Sequence, residues 1–121
     1  MTFDEIREYC LSLPATTEDM AFGEDYLLIR VCGRIFSCIE LKPPHRIVFK
    51  SDPERAIELR ERYSDIEPAW HWNKKYWIQF DGSASLTRDL IRSMARHSYS
   101  EVVKKLPRKI KVDCPDITTV S

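Results

Sequence analysis

His71, Asn73, Lys74 and Lys75 stand among Trp70, Trp72 and Trp77, the chain's only tryptophans, in the run Pro68-Ala69-Trp70-His71-Trp72-Asn73-Lys74-Lys75-Tyr76-Trp77. Two ammonium groups, an amide and an imidazole supply donors for an anion. The indoles supply flat faces on which another ring stacks. Together these are the means of holding a polyanion: lysine sits on phosphate and positions a protein on nucleic acid without reading its sequence. The plainer reading is a β-hairpin whose rings fill the core and whose lysines are solvated at the turn. A third reading leaves part of the ring surface of Trp70, Trp72 and Trp77 uncovered for a partner protein, because a two-faced hairpin cannot bury every ring on one side.

Other cations fall where they could serve the same end. Gly33-Arg34 is a second candidate tip, and Lys42, His45 and Arg46 follow the strand that leaves it. Lys104, Lys105, Arg108, Lys109 and Lys111 form a run with no acid among them, although basic residues at a helix end also complement the helix dipole. Against catalysis, His45, His71 and His97 are far apart, with no cysteine or carboxylate at ligand spacing, so no metal site is expected. Cys10 lies on an apolar stripe without a base, and the only glycines, Gly23, Gly33 and Gly82, cannot build a phosphate-cradling loop. Asp65 and Glu67 read as exposed loop acids. No catalytic residue and no cofactor are expected.

At 121 residues, with 43% hydrophobic and 31% charged positions, the chain has the size and composition of one ordinary globular domain, expected over residues 1–111 with a tail from 112. No run approaches the roughly 18 apolar residues that cross a bilayer, and the start is not basic, so no membrane partner is expected and the cytoplasm is the expected address. The four cysteines match neither a redox nor a zinc pattern; Cys10, Cys32 and Cys38 fall in apolar segments and are expected reduced. Net charge is zero, which argues against strong non-specific binding to DNA. It is unevenly spread, however: residues 1–25 hold seven acids and Arg7 alone as a base.

The elements that must carry these residues are legible in part. Thr2-Phe3-Asp4-Glu5 forms a capping box ahead of an apolar stripe at Phe3, Ile6, Cys10 and Leu13, a helix closed by Pro14. Residues 15–25 read as an acidic connection with Met20 and Phe22 tucked inward. Residues 26–32 and 35–41 read as a hairpin turning at Gly33-Arg34, and 46–50 as a third strand. Asp52-Pro53-Glu54 opens a second helix ending near Tyr63. Residues 69–72 and 76–80 form two more strands around Asn73-Lys74-Lys75. Thr87 caps a last helix, interrupted at His97-Ser98 and ended by Pro107. The order is helix, three strands, helix, two strands, helix: an α+β fold with a mostly antiparallel sheet and helices on one face.

That succession resembles the MmcQ/YjbR family of small bacterial proteins. The matching pieces are Cys10-Leu11-Ser12-Leu13-Pro14-Ala15-Thr16-Thr17-Glu18, the Phe36 strand, Lys50-Ser51-Asp52-Pro53-Glu54, the tryptophan run, and Ser98-Tyr99 with Val102-Val103-Lys104-Lys105-Leu106-Pro107. The resemblance implies a YjbR-like fold, related in outline to secretion-chaperone folds. It also implies DNA binding through two projecting hairpins acting as a double wing, or, by the chaperone analogy, a protein-binding adaptor. Trp70 and Trp72 around His71 are more aromatic than the family's usual hairpin.

Overall fold

A computed structural model describes residues 1–114. In chain order the elements are α1 (Phe3–Leu11), β1 (Thr16–Asp19), β2 (Tyr26–Val31), β3 (Arg34–Glu40), β4 (Ile47–Lys50), α2 (Pro53–Arg62), β5 (Glu67–Pro68), β6 (Trp77–Phe80), α3 (Arg88–Lys104) and α4 (Arg108–Asp113). Local chemistry starts the helices. Thr2 and Glu5 close the capping box of α1, Asp52 takes the Glu54 and Arg55 amides ahead of α2, and Thr87 takes the Leu90 amide at the start of α3. The strands form one antiparallel sheet in the order β1-β2-β3-β4-β6-β5.

Alternation along the strands gives the sheet two unequal faces. Leu27, Ile29, Phe36, Ile39, Ile47, Phe49, Ile78 and Phe80 pack against Ile6 and Cys10 of α1, Ala56 and Leu59 of α2, and Met94, Ala95 and Tyr99 of α3. The opposite face carries no helix. There Leu28, Cys38 and Val48 are covered by Ala69, Ile35, Trp72 and Trp77.

A β-bulge joins the main helix to the sheet. Ile29 faces Ser37 but Arg30 faces Ile35, so Phe36 is one residue too many for the ladder. Its carbonyl accepts the Ser98 hydroxyl of α3, and the Ser98 hydroxyl oxygen in turn accepts the Lys50 amide at 2.8 Å. Ser98→Ala removes both bonds at once from a fully buried site. The expected loss is about 1–3 kcal/mol, the usual cost of stranding a buried polar group. Urea unfolding measures it, and an unchanged midpoint would mean that both groups find other partners.

The structure departs from the sequence reading in several places. Residues 16–19 are an edge strand, not a connection, and Met20 and Phe22 are exposed rather than tucked inward. The polar strand is held by its partners: Glu18 pairs with Arg7 of α1, and Asp19 with Arg30 of β2. The β2–β3 turn is centred on Cys32-Gly33, at φ 48° and 82°, the double left-handed turn that suits a two-residue hairpin. Cys32 is therefore not a reduced core residue; it forms a disulfide with Cys114, their Cα atoms 6.2 Å apart, while Cys10 and Cys38 are free and buried. Helix α3 runs unbroken through His97 and Ser98, because both side chains are engaged: Ser98 with the sheet, and His97 as acceptor of the Asp52 amide at 3.1 Å. Finally, β5 is only two residues long, and 69–76 form a folded loop in place of a regular hairpin arm. Of the expected tail, Val112, Asp113 and Cys114 belong to α4 and its cap, and residues 115–121 lie outside the described residues.

Candidate functional site

Register decides which cations meet. Lys50 faces Trp77 and Phe49 faces Ser37, so the end of β4 that leads to Lys50 lies at the same end of the sheet as Arg34. Lys42, His45 and Arg46 lie between β3 and β4 at the opposite end, about 13 Å away at four residues of strand rise from Arg46 to Lys50. Those three are also occupied. Lys42 pairs with Asp25, Arg46 with Glu40, and His45 stacks on Phe3 at 4.4 Å with its Nδ1 against the Glu40 carbonyl. Lys42 and His45 do not join the tip residues in one surface, whereas Arg46 meets His71 in the groove described below.

Of the other sequence candidates, Lys75 and Lys105 do converge. Asn73 Oδ1 accepts the Lys75 amide at 3.0 Å, and the Tyr76 amide closes back on the Asn73 carbonyl, so Asn73 shapes the turn rather than offering its oxygen outward. The turn aims Lys75 at the Tyr76 ring, 5.6 Å from its centroid. Lys105, the cap of α3, approaches the same ring at 5.0 Å, and Lys50 lies 5.8 Å over Trp77. Among the ion pairs of the described residues, none neutralises Lys74, Lys75 or Lys105. Lys104 differs: Glu101 holds it at 2.6 Å. Burial, followed by the nearby charge of Lys105, pushes the Lys50 ammonium down from its ordinary value, with Glu101 opposing. Beyond Lys105, α4 carries exposed Arg108, Lys109 and Lys111 toward Cys114, which the disulfide fastens to the β2–β3 turn beside Arg34.

His97 braces this end from beneath and is sensitive to pH. Burial first, then the charge of Arg55, holds its pKa below the ordinary 6.5, with Lys104 adding to the depression and Glu101 and Asp52 opposing. A depressed pKa means stability that is present above pH 6.5 and lost as pH falls through the folded value, because protonation removes the Nε2 acceptor from the Asp52 amide. Unfolding midpoints at pH 7.5 and pH 5 should show the loss, and His97→Gln should reduce it. An equal loss in the variant would assign the effect to other groups.

A second feature occupies the helix-free face. The loop folds back over the sheet so that Trp72 lies 4.5 Å from Trp77 and 6.0 Å from Phe22. The space left open is a groove of about 540 Å³, walled by Phe22, Tyr26, Trp70 and Trp72 over a floor of Cys38 and Val48. Trp70 is 65% exposed, and its indole N–H donates to Glu67, which also accepts from Gln79. His71, Gln79, Glu40 and Arg46 supply the polar lining. Burial pushes the Cys38 thiol up to about 12, so it stays protonated and is no nucleophile. Among the described residues no three His, Cys, Asp or Glu side chains are grouped to hold a metal. Sequence reasoning missed Phe22, Tyr26 and Lys50 as site residues. Only the β-strand alternation that puts Tyr26 and Lys50 on one face carried any signal of them.

The fold and its site define a small α+β protein with one helix-covered sheet face, one open aromatic face and a cationic sheet end. The chain belongs to the YjbR family, whose model matches residues 11–101. It is 29% identical over 104 residues to the YbdF protein of Escherichia coli O157:H7, covering 85% of each chain. To the YjbR protein of Escherichia coli K12 it is 28% identical over 110 residues, covering 90% of this chain and 93% of that one. The crystal structure of Deinococcus radiodurans protein DR2400 superposes with a TM-score of 0.89 at 28% identity, over 99% of this chain and 91% of that one. A Pseudomonas syringae protein shares the fold, with a TM-score of 0.70 at 23% identity, over 81% of this chain and 96% of that one. No helix of the described residues is long and apolar enough to cross a membrane.

Proposed function

We propose that this YjbR-family protein is a small non-catalytic module that binds DNA weakly, with the cationic end of its sheet on the phosphates. One observation carries the reading: Lys75 and Lys105, from a loop and a helix cap distant in sequence, converge on the Tyr76 ring with Lys50 beside them on Trp77. Arg34, Lys74, Arg108 and Lys109 flank the same end. Lys42, His45 and Arg46 fall outside the proposed contact with the phosphates. A zero net charge keeps the affinity low, since no long-range field adds to the local contacts. A cytoplasmic address goes with this reading, and there Cys32 and Cys114 would be held as thiols, so that α4, which buries no residue, would no longer be fastened beside Arg34.

The test is a titration with duplex DNA at 50 and 200 mM salt. Counterion release requires affinity to fall as salt rises. Absence of binding at the lower salt would end the proposal. A second reading, an adaptor that grips another protein, is favoured by the exposed Phe22 and Trp70 rings. It requires the groove to accept an apolar peptide whatever the salt.

A further inference from the structure

We infer that the groove on the helix-free face holds an unpaired nucleobase, so that the protein grips single-stranded nucleic acid in preference to duplex. The inference rests on the phosphate-contacting role proposed above and names what enters beside it.

Size comes first. About 540 Å³ lies within the roughly 300–1,000 Å³ of small-ligand sites, room for a base and its sugar. The walls come second. Trp70 and Phe22 are 65% and 58% exposed, a large apolar area for two rings facing a concave space, and every base has a π-face to offer them. Third is the polar edge. Arg46 and Glu40, 3.5 Å apart, put donors and a carboxylate acceptor at the lining, where the edge of a base has acceptors and donors to match.

Continuity with the cations selects the occupant. Trp72 belongs to the groove wall and lies 4.5 Å from Trp77; Lys50 sits over Trp77, and Lys105 and Lys75 over the adjoining Tyr76. A strand with one base in the groove therefore leads its next phosphates onto three ammonium groups. An apolar peptide would satisfy the rings and leave those charges unanswered. A paired duplex would satisfy the charges and leave the rings in water.

All three tryptophans lie at this site, so their fluorescence reports occupancy. The probes are a thymidine decamer, an abasic decamer of the same backbone, a ten-pair duplex and a phenylalanine-containing decapeptide. The thymidine decamer should quench the emission and bind about tenfold more tightly than the abasic strand. Phe22→Ala and Trp70→Ala, both at exposed positions, should each bring thymidine affinity down toward the abasic value while leaving abasic affinity unchanged. Equal binding of the two decamers alongside bound duplex would overturn the groove assignment and spare the phosphate reading. Failure of every oligonucleotide would overturn both, and quenching by the peptide alone would hand the groove to a protein partner.

Discussion

Lys75→Ala combined with Lys105→Ala is expected to weaken binding to duplex DNA by about two orders of magnitude at 50 mM salt, and to lower the salt slope by about 2. The size follows from counterion release. Each phosphate contact contributes a factor that varies as salt to the power of about −0.9, which is about fifteenfold at 50 mM. Two contacts compound to about 200-fold, and at 200 mM the same pair is worth only about twentyfold. These two lysines are the right pair because both ammonium groups lie over one ring, and neither is held by a carboxylate among the described ion pairs. Lys104→Ala is the matched control: Glu101 already neutralises it, so its removal should change affinity far less. Fluorescence anisotropy at both salts measures all three proteins. A double variant that keeps its slope would show that phosphates contact the protein elsewhere.

Tyr99→Ala should cost about 3–5 kcal/mol, the usual loss for deleting a buried aromatic and leaving a cavity. Tyr99 is fully buried; its ring meets Phe36 edge-on at 5.6 Å, and its hydroxyl donates to the Pro14 carbonyl at 2.6 Å. The residue thus joins α3, the bulge in β3 and the turn after α1, the three parts that aim Lys105 at the loop. Tyr99→Phe separates the terms. It keeps the ring and should lose only about 1–3 kcal/mol, for the carbonyl left without its donor. Urea denaturation of both variants tests this. Equal losses would put the whole effect on the hydroxyl and none on packing.

Local signals account for what was readable in advance. The capping box at Thr2, the Asp52-Pro53 start and the Thr87 cap each act within three residues, so they survive in a bare sequence. Strand β1 carries no such signal. Thr16-Thr17-Glu18-Asp19 has no apolar alternation, and it is a strand only because β2 offers it a partner and Arg7 and Arg30 take its acids. Charged, polar edges of this kind also discourage further strands from adding. His97 and Ser98 read as a helix interruption because their polarity breaks the stripe. Partners 45 and 48 residues away turn them into the anchors of α3. Cys32 looked like core because it ends an apolar strand, and nothing in its spacing named Cys114 as its partner.

By itself the sequence determined the α+β class, the main helices and inner strands, and the clustering of rings and lysines around Asn73, since caps, alternation and turn residues act between near neighbours. Tertiary structure alone decided that Arg34, Lys75 and Lys105 share one end of the sheet while Lys42, His45 and Arg46 fall at the other, and that Phe22 crosses to Trp72 to wall a groove. The reason is geometric. Antiparallel pairing assigns each residue to an end and a face through partners far along the chain, and no local pattern records which partner that will be.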